Sequence, residues 1–132
     1  EILTHAHLDH SGYLPALVKQ GFRGRIHCTH GSVALCGLLL PDSGHLLEEE
    51  AKYAARKGYS KHKEPRPLYT EEDARRSLKQ LQGHDHEREI EVASGFPVRF
   101  HPAGHILGAA HVSLEARMNP RTPRPVCDVL VC

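Results

Sequence analysis

The chain has 132 residues, 39% hydrophobic and 25% charged, and its 17 Lys and Arg against 16 Asp and Glu leave a formal net charge of +1. That balance excludes a general electrostatic attraction to nucleic acid, and the length allows at most one domain. Cys28, Cys36, Cys127 and Cys132 form no C-x-x-C pair, which argues against a zinc ribbon and for reduced thiols in a cytosolic protein, and the longest apolar run, 33–40, is too short to cross a bilayer.

Ile2 to Thr4 predicts the end of a buried strand, and His5-Ala6-His7-Leu8-Asp9-His10 follows, with four ligand-type residues in six positions. A chance H-x-H-x-D-H match in a chain this rich in histidine has odds of roughly 4 in 1,000. In extended backbone residues two apart point the same way, so His5 and His7 converge on one metal ion. Asp9 and His10 fall where the chain turns into a helix and can serve a second. A donor set of nitrogen and oxygen without cysteine suits a hydrolytic zinc or manganese centre. The chain opens on Glu1 and enters this loop almost at once, which reads as a fragment of a larger domain.

A helix is predicted over 12–20, with Pro15 in its first turn and Gly21 as its stop. A short strand over 25–28 comes next, then a helix capped by Thr29 and running to Leu40, where Pro41 ends it. A second, charged helix is predicted from Ser43 to Lys57, with Gly58 as its stop. After a loop at 59–69, which holds most of a basic cluster made of Lys57, Lys61, Lys63 and Arg66, Thr70 and Asp73 suggest a capping box for a helix over 71–81. The pattern then turns to period two. Strands are expected at 89–92 and 98–100, and 111–116 and 126–131 read as the arms of a hairpin. The order is that of an α/β fold.

At the end of the 98–100 strand stands Ala103-Gly104-His105-Ile106-Leu107-Gly108. Joined to His5 and His7, His105 would complete the three-imidazole set that a catalytic zinc uses while leaving a position open for water. The remaining histidines carry plainer readings. His84 and His86 flank Asp85 in what reads as a solvated loop; His27, His30, His45 and His62 read as structural or exposed; His101 reads as a strand-end surface residue and His111 as the start of the next strand.

Thr4-His5-Ala6-His7-Leu8-Asp9-His10-Ser11-Gly12, followed about a hundred residues later by Ala103 to Gly108, resembles the metallo-β-lactamase fold. It is most similar to the β-CASP branch, the RNA-processing nucleases that include ribonuclease J and the cleavage-and-polyadenylation endonuclease. The G-H-x-L-G form around His105, the long helical stretch between the motifs with Pro41-Asp42-Ser43, and Leu68-Tyr69-Thr70-Glu71-Glu72-Asp73 carry that assignment. The resemblance implies a partial αββα sandwich with a mixed sheet and a helical insert between the two histidine motifs. Residues 1–116 would belong to the catalytic domain and 117–132 would form an atypical tail.

The resemblance also implies zinc, two ions per complete site. His5, His7 and His105 would hold one, Asp9 and His10 the other, and Asp9 would double as proton acceptor for a bridging water whose hydroxide cleaves RNA phosphodiesters. RNA is the implied partner, in the cytoplasm, with no membrane and no small-molecule cofactor, and with homo-oligomerisation left open. The family also places a bridging aspartate in a Gly-Asp turn; Asp128 has no glycine before it and is a poor match. Two other functions compete. One is a small-molecule hydrolase of the same fold acting on a thioester, lactone or lactam, which should have a much shorter spacing between the motifs. The other is a catalytically incompetent metal-binding or structural fragment.

Overall fold

In the computed structural model, which describes residues 1–58 and 64–114, the segment before the ligand loop lies against the first strand, β1 (Ile26–Thr29). Ile2 bridges His27 in parallel, with the Leu3 N–H donating to the His27 carbonyl at 2.9 Å and the His27 N–H to the Glu1 carbonyl at 2.9 Å. On its other side β1 pairs in parallel with β2 (Leu81–His84), from Ile26 opposite Leu81 to Thr29 opposite His84. A strand bonded along both edges is buried whatever its polarity, and all four residues of β1 are buried.

β3 (Glu89–Ala93), β4 (Phe96–Pro102) and β5 (Ala110–Leu114) form an antiparallel sheet in that order. Strand alternation sends Val98, Phe100 and Val112 inward, each at most 2% exposed, and Arg99, His101 and Ser113 outward. The elements are therefore α/β, with one parallel and one antiparallel sheet. The strand arm expected at 126–131 lies outside the described residues, as do the 117–132 tail, Cys127, Cys132 and Asp128.

Of the helix predicted over 12–20 the structure forms α2 (Leu14–Lys19), and a further short helix, α1 (Leu8–Ser11), precedes it within the ligand loop. The next difference is larger. Pro41 does not end a helix: α3 runs unbroken from His30 to Lys57, 28 residues, with Pro41 inside it and buried. Proline removes one backbone donor and crowds the preceding turn, so continuity must come from elsewhere. Packing supplies it: Gly44 sits against the backbone of Thr70 and Glu71, Glu48 accepts the Glu71 N–H at 3.0 Å, and the hydroxyls of Ser43 and Tyr69 lie 2.9 Å apart. Gly58, at φ 67°, closes the helix as the sequence predicts.

α4 (Glu71–Ser77) begins with the predicted capping box, both bonds present between Thr70 and Asp73. Lys19 reaches Asp73 at 2.8 Å and ties α2 to α4; that bond is the main cause holding the Asp73 carboxyl below its ordinary range. The helix stops earlier than expected. A 3-10 turn (Leu78–Gln80) follows it, and Leu81, expected on the helix, starts β2. Four residues reading Leu-Gln-Gly-His carry no period-two signal, so only pairing with β1 reveals the strand.

β2 also corrects the reading of His84 as a solvated loop residue. Its Nε2 lies 3.0 Å from His27 Nδ1, the two rings stack at 19°, and the His84 ring lies over Phe100 at 6.1 Å. Burial lowers both imidazoles below their ordinary value, His27 further by His84, the terminal ammonium and Arg25, and His84 further by His30 and Arg88 against the opposing pull of Asp85. A group whose folded value is depressed gives stability that is present above its unfolded value, about 6.5, and lost as pH falls below it. The melting temperature measured with chelator present should therefore fall between pH 7.5 and 5.5, and His84→Gln should flatten that slope. An unchanged slope would mean that the pair does not carry it.

Candidate metal centre

The first ligand loop is built by short-range bonds. His7 is the N-cap of α1, and its carbonyl accepts the N–H groups of His10 and Ser11 at 2.9 and 2.8 Å. The buried Ser11 hydroxyl donates back to the Ala6 carbonyl at 2.9 Å, which folds 6–11 into one compact turn. Thr4 and His5 share a buried hydrogen bond, Oγ1 to Nδ1 at 3.0 Å, which leaves Nε2 of His5 as the free ring nitrogen.

The second loop is held from two sides. Gly104 and Gly108 bracket His105 at φ 68° and 75°, backbone that glycine adopts without the penalty a Cβ brings. The Ala109 N–H returns to the Ile106 carbonyl at 2.9 Å, and the Ala110 N–H reaches the Thr4 carbonyl at 3.0 Å, which joins the two loops directly. From beneath, Thr29 and Ser32 both donate to the Gly108 carbonyl, at 2.5 and 3.2 Å. Thr29 thus has two functions: its hydroxyl oxygen also accepts the Ser32 N–H at 3.2 Å as the cap of α3. The sequence signals only the cap. A hydroxyl that serves a residue 79 positions away leaves no local signature.

Together these restraints bring three of the predicted ligands to one point. The ring centroids of His5 and His7 lie 5.0 Å apart, those of His5 and His105 5.1 Å, and those of His7 and His105 4.9 Å. One ring nitrogen from each lies within 4.8 Å of the other two, and His105 Nε2 stands 3.2 Å from His7 Nδ1 across 98 residues of chain. Ligand nitrogens about 2.1 Å from a tetrahedral zinc are roughly 3.4 Å apart, so the donor set fits such an ion with small ring adjustments. Burial, and after it His10, His7 and His105, lowers the His5 imidazole below its ordinary value, with Asp9 opposing. A neutral imidazole keeps the lone pair that a metal needs.

Asp9 and His10 are not part of that triangle. They pair with each other, Oδ2 to Nε2 at 3.5 Å, and the Asp9 side chain is 79% exposed. The His10 ring nonetheless lies 4.2 Å from that of His5, tilted at 48°, so the pair borders the cluster. Leu8 and Leu107, on the two ligand loops, are both exposed. His101 points elsewhere, toward Glu87 and Ser113. Cys28 and Cys36 are buried free thiols, their pKa values pushed up by burial to about 12 and about 11, which suits small core residues rather than ligands.

No protein-family model matches the chain. Relatives do. The transcription termination factor FttA of Methanococcus maripaludis is 31% identical over 109 residues, 83% of this chain and 15% of that protein. The endoribonuclease YSH1 of Gibberella zeae is 33% identical over 115 residues, 86% of this chain and 12% of that protein. The ribonuclease TTHA0252 of Thermus thermophilus is 30% identical over 111 residues, 84% of this chain and 22% of that protein. The chain therefore spans less than a quarter of the length of each of these three relatives.

Proposed function

Since this chain belongs to the β-CASP branch of the metallo-β-lactamase fold through the stretch it shares with those relatives, we propose that it forms the metal-binding part of a zinc-dependent ribonuclease of the cytoplasm. The observation that carries this reading is the meeting of His5, His7 and His105 nitrogens from two loops that the fold must bring together. In this reading residues 1–116 are part of the catalytic domain, and its αββα layering is completed by chain beyond them. His5, His7 and His105 hold one zinc ion; Asp9 and His10 contribute to a second.

Zinc bound there supplies Lewis acidity and lowers the pKa of water to about 7, so that hydrolysis of a phosphodiester needs no serine or cysteine nucleophile. The chain's own residues do the rest. Thr4 engages Nδ1 of His5 and orients its ring, while Thr29 and Ser32 hold the His105 loop through the Gly108 carbonyl. Asp9, exposed and beside His10, is placed to accept a proton.

α3 and α4, more than thirty residues of helix between the two motifs, speak against the small-molecule hydrolase, for which a much shorter spacing is expected. The test is RNA phosphodiesterase activity of the full-length parent protein with and without His7→Ala. Loss of cleavage in the variant, with its fold retained by circular dichroism, is expected; equal cleavage by both would overturn the proposal.

A further inference from the structure

On the outward face of the β3-β4-β5 sheet, away from the histidine cluster, three side chains form a relay of their own. Ser113 Oγ lies 2.9 Å from His101 Nε2, and His101 Nδ1 lies 3.1 and 3.0 Å from the two Glu87 oxygens. An ionised carboxylate can only accept, so it places the ring proton on Nδ1 and leaves the Nε2 lone pair for the serine hydroxyl. That is the order of nucleophile, base and orienting carboxylate by which an ordinary serine becomes reactive.

Two further observations bear on the same place. Arg99 stands directly across from Ser113 in the β4-β5 register, the separation at which cross-strand side chains touch. Its guanidinium is held by an exposed ion pair to Glu89 at 3.3 Å, which keeps a cation on the same face of the sheet as Ser113. Glu87 is the one non-glycine residue with positive φ among the described residues, at 61°, held there by its N–H bond to the Phe100 carbonyl at 2.8 Å. A turn position that glycine would fill more comfortably carries instead the carboxylate that orients His101. Backbone kept in a costly conformation is characteristic of sites where position matters.

We propose that Ser113 is a nucleophile activated by His101 and oriented by Glu87, and that it takes small carboxylic esters as acyl donors on this open face. In the acylation step Ser113 Oγ bonds to the acyl carbon while its proton passes to His101 Nε2. The bond to the leaving alkoxide or phenoxide breaks, and His101 returns the proton to that oxygen. Water then attacks the acyl-serine by the same route in reverse, which releases the acid and restores Ser113. Ser113 and His101 are the catalytic residues; Glu87 is a positioning residue that acts through His101. The proposal does not depend on the metal centre.

The test uses the full chain, with a chelator present to silence metal chemistry, and p-nitrophenyl acetate as the probe. Release of p-nitrophenol is followed together with peptide mapping of the acetylated protein. The expected result is acetylation at Ser113, absent in Ser113→Ala and retained in Ser113→Cys, which keeps a nucleophilic atom at the position. His101→Gln should slow it at least about a hundred-fold and Glu87→Gln about ten-fold, with far-ultraviolet circular dichroism unchanged in both. Ser113 that stays unmodified, with p-nitrophenol released no faster than by Ser113→Ala, would overturn the proposal. So would a His101→Gln variant labelled at the wild-type rate.

Discussion

His105→Ala in the full chain should lower zinc affinity by more than about a hundred-fold. Losing a neighbour that merely orients a ligand costs about 10- to 100-fold, and His105 is proposed as a ligand itself. It also supplies the one nitrogen of the triangle that comes from outside the first loop. His5 and His7 would remain as a pair on adjoining turns, with Asp9 and His10 bonded to each other beside them. The measurement is competition against a chromophoric chelator. His45→Ala, which removes an imidazole from α3, should leave affinity unaltered. Equal affinity in His105→Ala and the wild type would end the reading of this cluster as a metal centre.

Gly108→Ala should cost roughly 3 kcal/mol and lower the melting temperature by about 10 °C. Part of the cost is conformational, since φ 75° is a region in which a Cβ costs about 1 kcal/mol. The larger part is steric: a Cβ there lands on the Ser32 N, the Thr29 hydroxyl and the Gly31 carbonyl carbon, none of which is the end of a long flexible side chain. Relieving the overlap means pushing the loop off Thr29 and Ser32, so metal affinity should fall with stability. Gly104→Ala separates the two causes. It has similar φ, 68°, but nothing within 4 Å of the added carbon, so it should cost only about 1 kcal/mol. Equal losses at the two positions in thermal unfolding would show that crowding beneath Gly108 is not the cause.

The two ligand loops were legible in the sequence because their chemistry is local. His5, His7 and His105 stand in short motifs with glycine or helix-start neighbours, and the structure brings them together. The Thr70 and Asp73 capping box and the Gly58 stop were legible for the same reason. What escaped depends on distant partners. Pro41 signals a helix end when read alone, yet α4 packs against α3 just beyond it and carries the helix through. β2 has no pattern of its own and exists through β1, so His84 looked like a loop residue until the register placed it against His27. Glu87, His101 and Ser113 lie 14 and 12 residues apart in pairs, separations at which only strand pairing makes neighbours.

The Thr4 carbonyl that receives the Ala110 N–H joins regions that belong to different apolar clusters, one around Ile26 and Leu40 and the other around Phe100 and Val112. The histidine triangle lies at the same seam. An ion gripped by His7 and His105 would close a loop across 98 residues of chain, as a cross-link does, and so would remove entropy from the unfolded state rather than only add contacts to the folded one. The metal would then act as a clasp between two halves of the molecule, and its release would loosen their seam before it disturbed either core.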